Sequence, residues 1–339
     1  MEPVESSAGR VRAFIRLGRP KFLVQSMMVV GLGVTLAVHD GHAFRPARFV
    51  LTLLFAWCTH LMTHYCNEYF DLEADRANAA PTGWTGGSRV LVSGLLRPQV
   101  SLGAAFVLLF AAVGLIAAMP TAGARAVAAV ITALSWFYTA PPLRLNYRAL
   151  GEAACAVVLY GLGPVLARTL QAGAPTGADL VWVGAVCALQ FLRMSVMNLA
   201  DIEGDRRTGK RTLAVLLRPP GLTRLYLVGQ LVVAGTAFAL AVTGAVPWSG
   251  ALAVAATGPI AAWVARRLLA GALERSETAN AVTFWASVHL PLTTCAITLS
   301  LFAGQPVRGA WPAVYGVALA AFLVWLAGAV RGNLPRRTS

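Results

Sequence analysis

The stretch FVLTLLFAWCTHLMTHYCNEYFDLEADRAN, residues 49–78, decides how this chain is read. It is apolar up to Cys66 apart from scattered Thr and His, and then Asp71, Glu73 and Asp75 follow in quick succession. About 20 mostly apolar residues cross a bilayer as a helix. Carboxylates at the edge of hydrocarbon are costly unless something holds them. The stretch therefore reads as a membrane span that ends in a site for a cation.

The rest of the 339 residues agrees: 57% are hydrophobic and 12% are charged, against about 25% charged in a soluble domain. The fold class expected is all-α, a polytopic helical bundle. Ten apolar segments qualify as spans, at about 22–38, 46–66, 100–119, 122–138, 150–171, 179–200, 222–244, 248–268, 280–303 and 311–330. With both termini on the cytoplasmic side, the cytoplasmic segments and adjoining span ends hold 22 of the 28 Lys and Arg, the asymmetry expected of an inner-membrane protein. That distribution also accounts for the net charge of +14 and removes nucleic acid as a partner. The five cysteines all fall in apolar runs, without metal-ligand spacing, and read as free thiols. No cleavable signal peptide is expected.

Asn67, Asp71 and Asp75 are spaced i, i+4, i+8, which sets them on one stripe of a helix. A second cluster, NLADIEGDRRTGKRTLAV at residues 198–215, repeats the pattern with Asn198, Asp201 and Asp205. Two facing carboxylate stripes repel unless cations lie between them. Hard oxygen ligands select Mg²⁺, which usually shares its coordination with substrate phosphates. Basic residues sit beside both clusters: Arg89 after the glycine-rich TGWTGGS at 82–88, Arg144 and Arg148 in the 138–148 segment YTAPPLRLNYR, and Lys210. Glu68, Glu73 and Glu203 lie off the stripes and are expected to be solvated.

Arg193 lies within a span two turns before Asp201 on nearly the same face. An intramembrane arginine marks a functional site by default, and here an acceptor carboxylate is a candidate ligand. Arg168, nearer a span end, is expected to snorkel towards water. His60 and His64 are spaced like a metal pair but lack a third ligand, so interior hydrogen bonding is expected. Trp248 and Trp311 are expected as interfacial anchors.

NEYFDLEAD and NLADIEGDRRTGKRTLAV resemble the paired acidic motifs of the UbiA superfamily of intramembrane prenyltransferases. GGSRVLVSG and YTAPPLRLNYRALGE resemble further family segments in the same order, leaning towards the branch that prenylates 1,4-dihydroxy-2-naphthoate in menaquinone synthesis. The resemblance covers about residues 15–303. It implies a nine-span bundle whose central cavity opens to the cytoplasm at the two motifs and laterally to lipid. It also implies Mg²⁺-dependent transfer from an allylic prenyl diphosphate to a small aromatic acceptor. Asn67, Asp71, Asp75, Asp201 and Asp205 would then be metal and diphosphate ligands, assisted by Asn198. Lys210, Arg144, Arg148 and Arg89 would contact the diphosphate, and Tyr138 would stand near the reacting carbon. The chain departs from the family pattern at Glu68, where Asp is usual, and at Asn146, where Lys is common. Residues 1–21 are expected as a basic cytoplasmic segment, 22–303 as the prenyltransferase bundle, and 304–339 as an additional span with a basic tail. Two rival readings use the same acids: an intramembrane terpene cyclase and a divalent-cation transporter.

Overall fold

The computed structural model describes residues 7–78, 81, 84, 86–272, 276–303 and 309–333, with no side-chain description at 276, 277, 332 and 333. Parts of the expected glycine-rich loop, at 82, 83 and 85, lie outside the described residues, as do 1–6, the 304–308 linker and the tail from 334.

The described residues form helices and turns, with one isolated β-bridge between Arg148 and Arg211. In chain order the helices are α1 (Ser7–Leu17), α2 (Leu23–His39), α3 (Pro46–Phe70), α4 (Leu72–Ala77), α5 (Pro98–Ala117) and α6 (Ala122–Phe137). Then come α7 (Gly151–Ala156), a π-helical stretch (Val157–Leu162), α8 (Gly163–Ala172), α9 (Gly177–Met197), a 3₁₀ turn (Asn198–Asp201) and α10 (Ile202–Arg207). The chain closes with α11 (Leu213–Val242), α12 (Trp248–Ala256), α13 (Gly258–Leu269), α14 (Ser276–Ala303) and α15 (Trp311–Asn333).

All ten apolar segments are helical because backbone polar groups in hydrocarbon must be satisfied within their own segment. Among the described residues eight helices are long and apolar enough to cross a membrane, and α12–α13, bent by 40° at a break, makes a ninth. Helix α6, with 16 residues, is shorter than these. The starts are set by local chemistry. Pro46 and Pro98 open α3 and α5, where no N–H is needed. Thr121 and Thr212 cap α6 and α11, and Thr176 with Asp179 forms a capping box on α9.

Helix α2 runs through the middle, packed against α3, α8, α14 and α15. Small residues permit the closest approach: a Cβ at Gly33 would collide with the Pro164 carbonyl, so only glycine allows α2 and α8 to pack as they do. On either side, α3 packs on α5 and α6, and α9 packs on α11 and α14. The interior space between α2, α3, α6, α7–α8 and α9 is the cavity described below.

Two expectations are corrected at the end of the bundle away from the acidic motifs. Arg168 does not snorkel; it is 3% exposed and donates to Asp179 (Nε–Oδ2, 3.0 Å) and Asp40 (Nη2–Oδ2, 2.8 Å). Carboxylates within reach outbid water, because a paired buried charge needs no exit path. Trp311 is not interfacial but fully buried, packed against Phe44, Phe49 and Tyr315, with its indole N–H donating to Thr35 at 2.8 Å. Trp248 is half exposed.

Candidate active site

The first acidic cluster keeps its stripe across a helix break. Helix α3 ends at Phe70 and α4 begins at Leu72, yet the Asp71 N–H bonds the Asn67 carbonyl at 2.8 Å and the Asp75 N–H bonds the Asp71 carbonyl at 2.9 Å. The i, i+4 spacing thus survives, and Asn67 Nδ2 donates to Asp71 Oδ2 at 2.6 Å. The second cluster also straddles a break, with Asn198 and Asp201 on the 3₁₀ turn and Asp205 on α10.

Helices α4 and α10 pack together and bring the clusters face to face. Asn78, at the end of α4, donates to Asp201 Oδ1 at 2.6 Å. Lys210 reaches both sides, with Nζ 3.2 Å from Asp71 Oδ2 and 3.3 Å from Asp205 Oδ1. Burial pulls the Lys210 ammonium down, but Asp71 and Asp205 outweigh it and hold it well above the ordinary lysine value. Asn146 donates to both Asp71 oxygens at 3.0 and 3.3 Å, so a neutral amide orients that carboxylate. Glu152, fully buried, accepts from Asn198 Nδ2 at 2.8 Å and from the Leu213 N–H at 2.9 Å, which fixes the second cluster to the start of α11.

Below this mouth lies a cavity of about 220 Å³. Asn67, Asp71, Asp75, Asn198, Asp201, Lys210 and Tyr138 line it, and so does Arg193 further in. Between them the wall is largely apolar, with Val29, Phe55, Ile131, Leu134, Val158 and Met197. Of the other residues singled out, Asp205 is buried behind Lys210 and does not line the cavity. Arg89 donates to the Asp75 carbonyl. Arg144 lies over the Tyr147 ring at 3.7 Å, and Arg148 donates to the Pro142 carbonyl at 3.0 Å. None of these three arginines lines the cavity. The segment that carries Arg144 and Arg148 is pinned beside Lys210 by the bond from the Ala149 N–H to the Arg211 carbonyl, 2.6 Å.

Glu68 is a correction. It is not solvated but 2% exposed, paired with Arg19 and accepting from the Ser88 N–H (2.7 Å) and hydroxyl (2.6 Å). It lies beside the acidic stripe, sharing Arg19 with Asn67, and holds the loop that approaches Asp75. That loop approaches so closely that a Cβ at Gly87 would meet the Asp75 carboxylate, and Gly86 and Gly87 both have positive φ (76° and 75°). Arg19, which composition assigns only to a basic terminal segment, also donates to Asn67 Oδ1 at 3.3 Å and lines the cavity mouth. Its left-handed backbone (φ 49°) before Pro20 is a local signal of a special position. His60 and His64 bond Ser26 (2.8 Å) and the Gly18 carbonyl (2.7 Å), as interior histidines.

The donor set can be tested against a divalent cation. Among the described residues no three of His, Cys, Asp and Glu converge on one point, so a cage built only from protein is absent there. Mg²⁺ needs only one or two carboxylates when phosphate oxygens and waters complete its coordination. Burial drives the Asp75 carboxyl up to about 7, despite Arg19 and Lys210, with Glu68 and Asp71 adding to the rise. A carboxylate so poorly compensated, beside Asp71 and across from Asp201, fits an Mg²⁺ that arrives with a phosphate ligand.

A helical membrane bundle with paired acidic clusters at the mouth of an apolar cavity is the class the fold and site define. The family model described as "UbiA prenyltransferase family" matches residues 26–288. The chain belongs to the UbiA prenyltransferase family and is a prenyltransferase of the membrane. It is 25% identical over 252 residues to the 1,4-dihydroxy-2-naphthoate octaprenyltransferase of Bacillus subtilis, covering 73% of this chain and 78% of that one. It is 28% identical over 229 residues to the digeranylgeranylglyceryl phosphate synthase of Halobacterium salinarum, covering 67% and 76%. The fold matches a UbiA homolog from Aeropyrum pernix K1 (TM-score 0.60, 18% identity, covering 79% of this chain and 96% of that one). It also matches a UbiA homolog from Archaeoglobus fulgidus bound to GPP and Mg²⁺ (TM-score 0.55, 14% identity, covering 84% and 99%). Family membership sets aside the cation-transporter reading.

Proposed function

We propose that this protein transfers a prenyl group from an allylic prenyl diphosphate to a small aromatic acceptor, with Mg²⁺, at a site facing the cytoplasm of a bacterial membrane. The observation that carries this reading is the meeting of two acidic clusters, bridged by Lys210, at the mouth of a cavity with apolar walls. The dihydroxynaphthoate substrate named for the Bacillus relative makes the menaquinone branch the first acceptor class to test. In this reading residues 22–303 are the catalytic bundle, 1–21 a cytoplasmic segment, and 304–339 an added span and tail.

Asp71, Asp75 and Asp201, with Asn67 and Asn198, would hold the Mg²⁺, which supplies positive charge to the departing diphosphate. Lys210 donates hydrogen bonds to the diphosphate oxygens once it swings from Asp71 towards the anion; Asp205 keeps its ammonium charged and in place. Arg144, Arg148 and Arg89 steer the anion to the mouth by charge. The diphosphate leaves with the electron pair of the C1–O bond, and the apolar wall keeps water from the allylic cation. Tyr138 turns its ring towards that cation, where an aromatic face is stabilising. An electron-rich carbon of the acceptor forms the new C–C bond, and that carbon then sheds its proton to water at the mouth or, where it bears a carboxyl group, CO₂.

The test is product mass analysis. Purified protein in nanodiscs, given geranyl diphosphate and an aromatic acceptor, is expected to yield the prenylated acceptor with Mg²⁺ and none with EDTA. A cyclic terpene formed without acceptor would replace this reading by the cyclase.

A further inference from the structure

We propose that the deep end of the cavity is an anion subsite built on Arg193, which takes the carboxylate or phosphate of the acceptor. This rests on the prenyl-transfer reading above and adds to it the charge of the second substrate.

Arg193 lies on α9 inside the membrane span, is 5% exposed and lines the cavity. A guanidinium has five N–H donors and cannot shed its charge. Among the described residues its hydrogen bond runs from Nη1 to Gln190 Oε1, 3.1 Å, a neutral partner. Its Nε is buried with no partner. The ionisable groups that act on its charge from nearby include Tyr160 and Cys155, and neither is a carboxylate. Tyr160, fully buried on the π-helical stretch, also has a hydroxyl without a partner. Interruptions of this kind inside α-helices often mark functional sites.

Gln190 is itself fixed, with its amide donating to Cys155 Sγ at 3.2 Å. The guanidinium is therefore anchored at one nitrogen, and among the described residues no carboxylate pairs with it. The contrast with Arg168, whose charge meets two carboxylates, shows that this chain can satisfy a buried arginine internally. Leaving Arg193 unpaired in hydrocarbon is costly, unless a ligand brings the anion.

Geometry selects which ligand. Four residues of α-helix and the 3₁₀ turn separate Arg193 from Asp201, about 12–14 Å along the axis. The diphosphate is held at the mouth, and the isoprenoid tail has no group to offer a guanidinium. The acceptor remains. With its anion on Arg193, the reacting part of the acceptor lies between the arginine and the acidic mouth, below the carbon that loses diphosphate. Carboxylate and phosphate share this chemistry, and the test separates them.

The experiment uses the full-length protein in nanodiscs with geranyl diphosphate and Mg²⁺. Two acceptor pairs are compared: 4-hydroxybenzoate and its methyl ester, and a geranylgeranylglyceryl phosphate and its uncharged alcohol. In at least one pair the anionic member is expected to have the higher kcat/KM, by about 10- to 100-fold, the scale of a charged hydrogen bond. The pair that shows it identifies carboxylate or phosphate. Arg193→Met is expected to bring that ratio near one by raising KM for the anion, with KM for geranyl diphosphate unchanged. Gln190→Leu, which frees the guanidinium, should lower the ratio by a few-fold. An uncharged acceptor used as well as its anion in every pair overturns the subsite even if the Arg193 variant does not fold. An Arg193→Met protein that keeps the wild-type ratio overturns it too. Absence of product from every acceptor would strike the prenyl-transfer reading itself, and the subsite with it.

Discussion

The two ends of the bundle treat buried charge in opposite ways. Where α2 ends and α9 begins, Arg168 closes on Asp40 and Asp179, and a further bond runs to the Gly173 carbonyl at 3.3 Å. Where α3 and α9 end, Asp71, Asp75 and Asp201 face a cavity, with Lys210 and amides as their partners. The first arrangement has nothing left to bind and ties loops together. The second holds like charges near one another in a space open to a ligand, which is the cost a binding site accepts and a structural cluster avoids.

That contrast can be broken by substitution, and the largest effect is expected at the open end. Asp71→Asn or Asp201→Asn should lower turnover about 10³-fold, with insertion and thermal unfolding little changed. Product formation and a melting curve in detergent check both halves; near-normal turnover would mean the acids are not used. At the closed end Arg168→Met should cost about 3 kcal/mol of stability by stranding two carboxylates, with KM for either substrate unaltered in protein that survives. A stable variant with altered KM would erase the distinction between the ends.

Glu68 sharpens the comparison because it belongs to the open end yet is itself closed on Arg19 and Ser88. Glu68→Gln should cost about 1–3 kcal/mol and lower turnover several-fold by loosening the loop over Asp75, read by unfolding and steady-state kinetics together. The smallest effect is expected for Asp40→Asn. Asp40 is 27% exposed and Arg168 keeps Asp179, so the loss should stay near about 1 kcal/mol, measured by the same melting curves.

The sequence carried the fold because hydrocarbon leaves the backbone one solution per segment, and each apolar run became a helix. It carried the core of the site for a similarly local reason. The i, i+4 spacing of Asn67 and Asp71 fixes their hydrogen bond whatever surrounds them. The breaks were not legible: the interruption at Asp71, the π-helical stretch at 157–162 and the kink at Arg218 before two prolines depend on what packs there. Nor were the distant partners. Glu68 with Arg19 and Asp201 with Asn78 join segments 49 and 123 positions apart, and periodicity reports a helix face but not the segment it will meet. The same limit governs Arg168 and Arg193. Both read as arginines within spans, and only the fold brings carboxylates to one and a cavity to the other.

The central claim is that both acidic clusters grip one diphosphate. It is tested most directly by a double-mutant cycle on binding of a non-reacting prenyl thiodiphosphate with Mg²⁺, using wild type, Asp71→Asn, Asp201→Asn and the double variant. Each single change should weaken binding about 10- to 100-fold, and the double should fall well short of the product of the two, because either loss already releases the shared anion. Two effects that simply multiply, or an Asp201→Asn protein that binds like wild type, would contradict it.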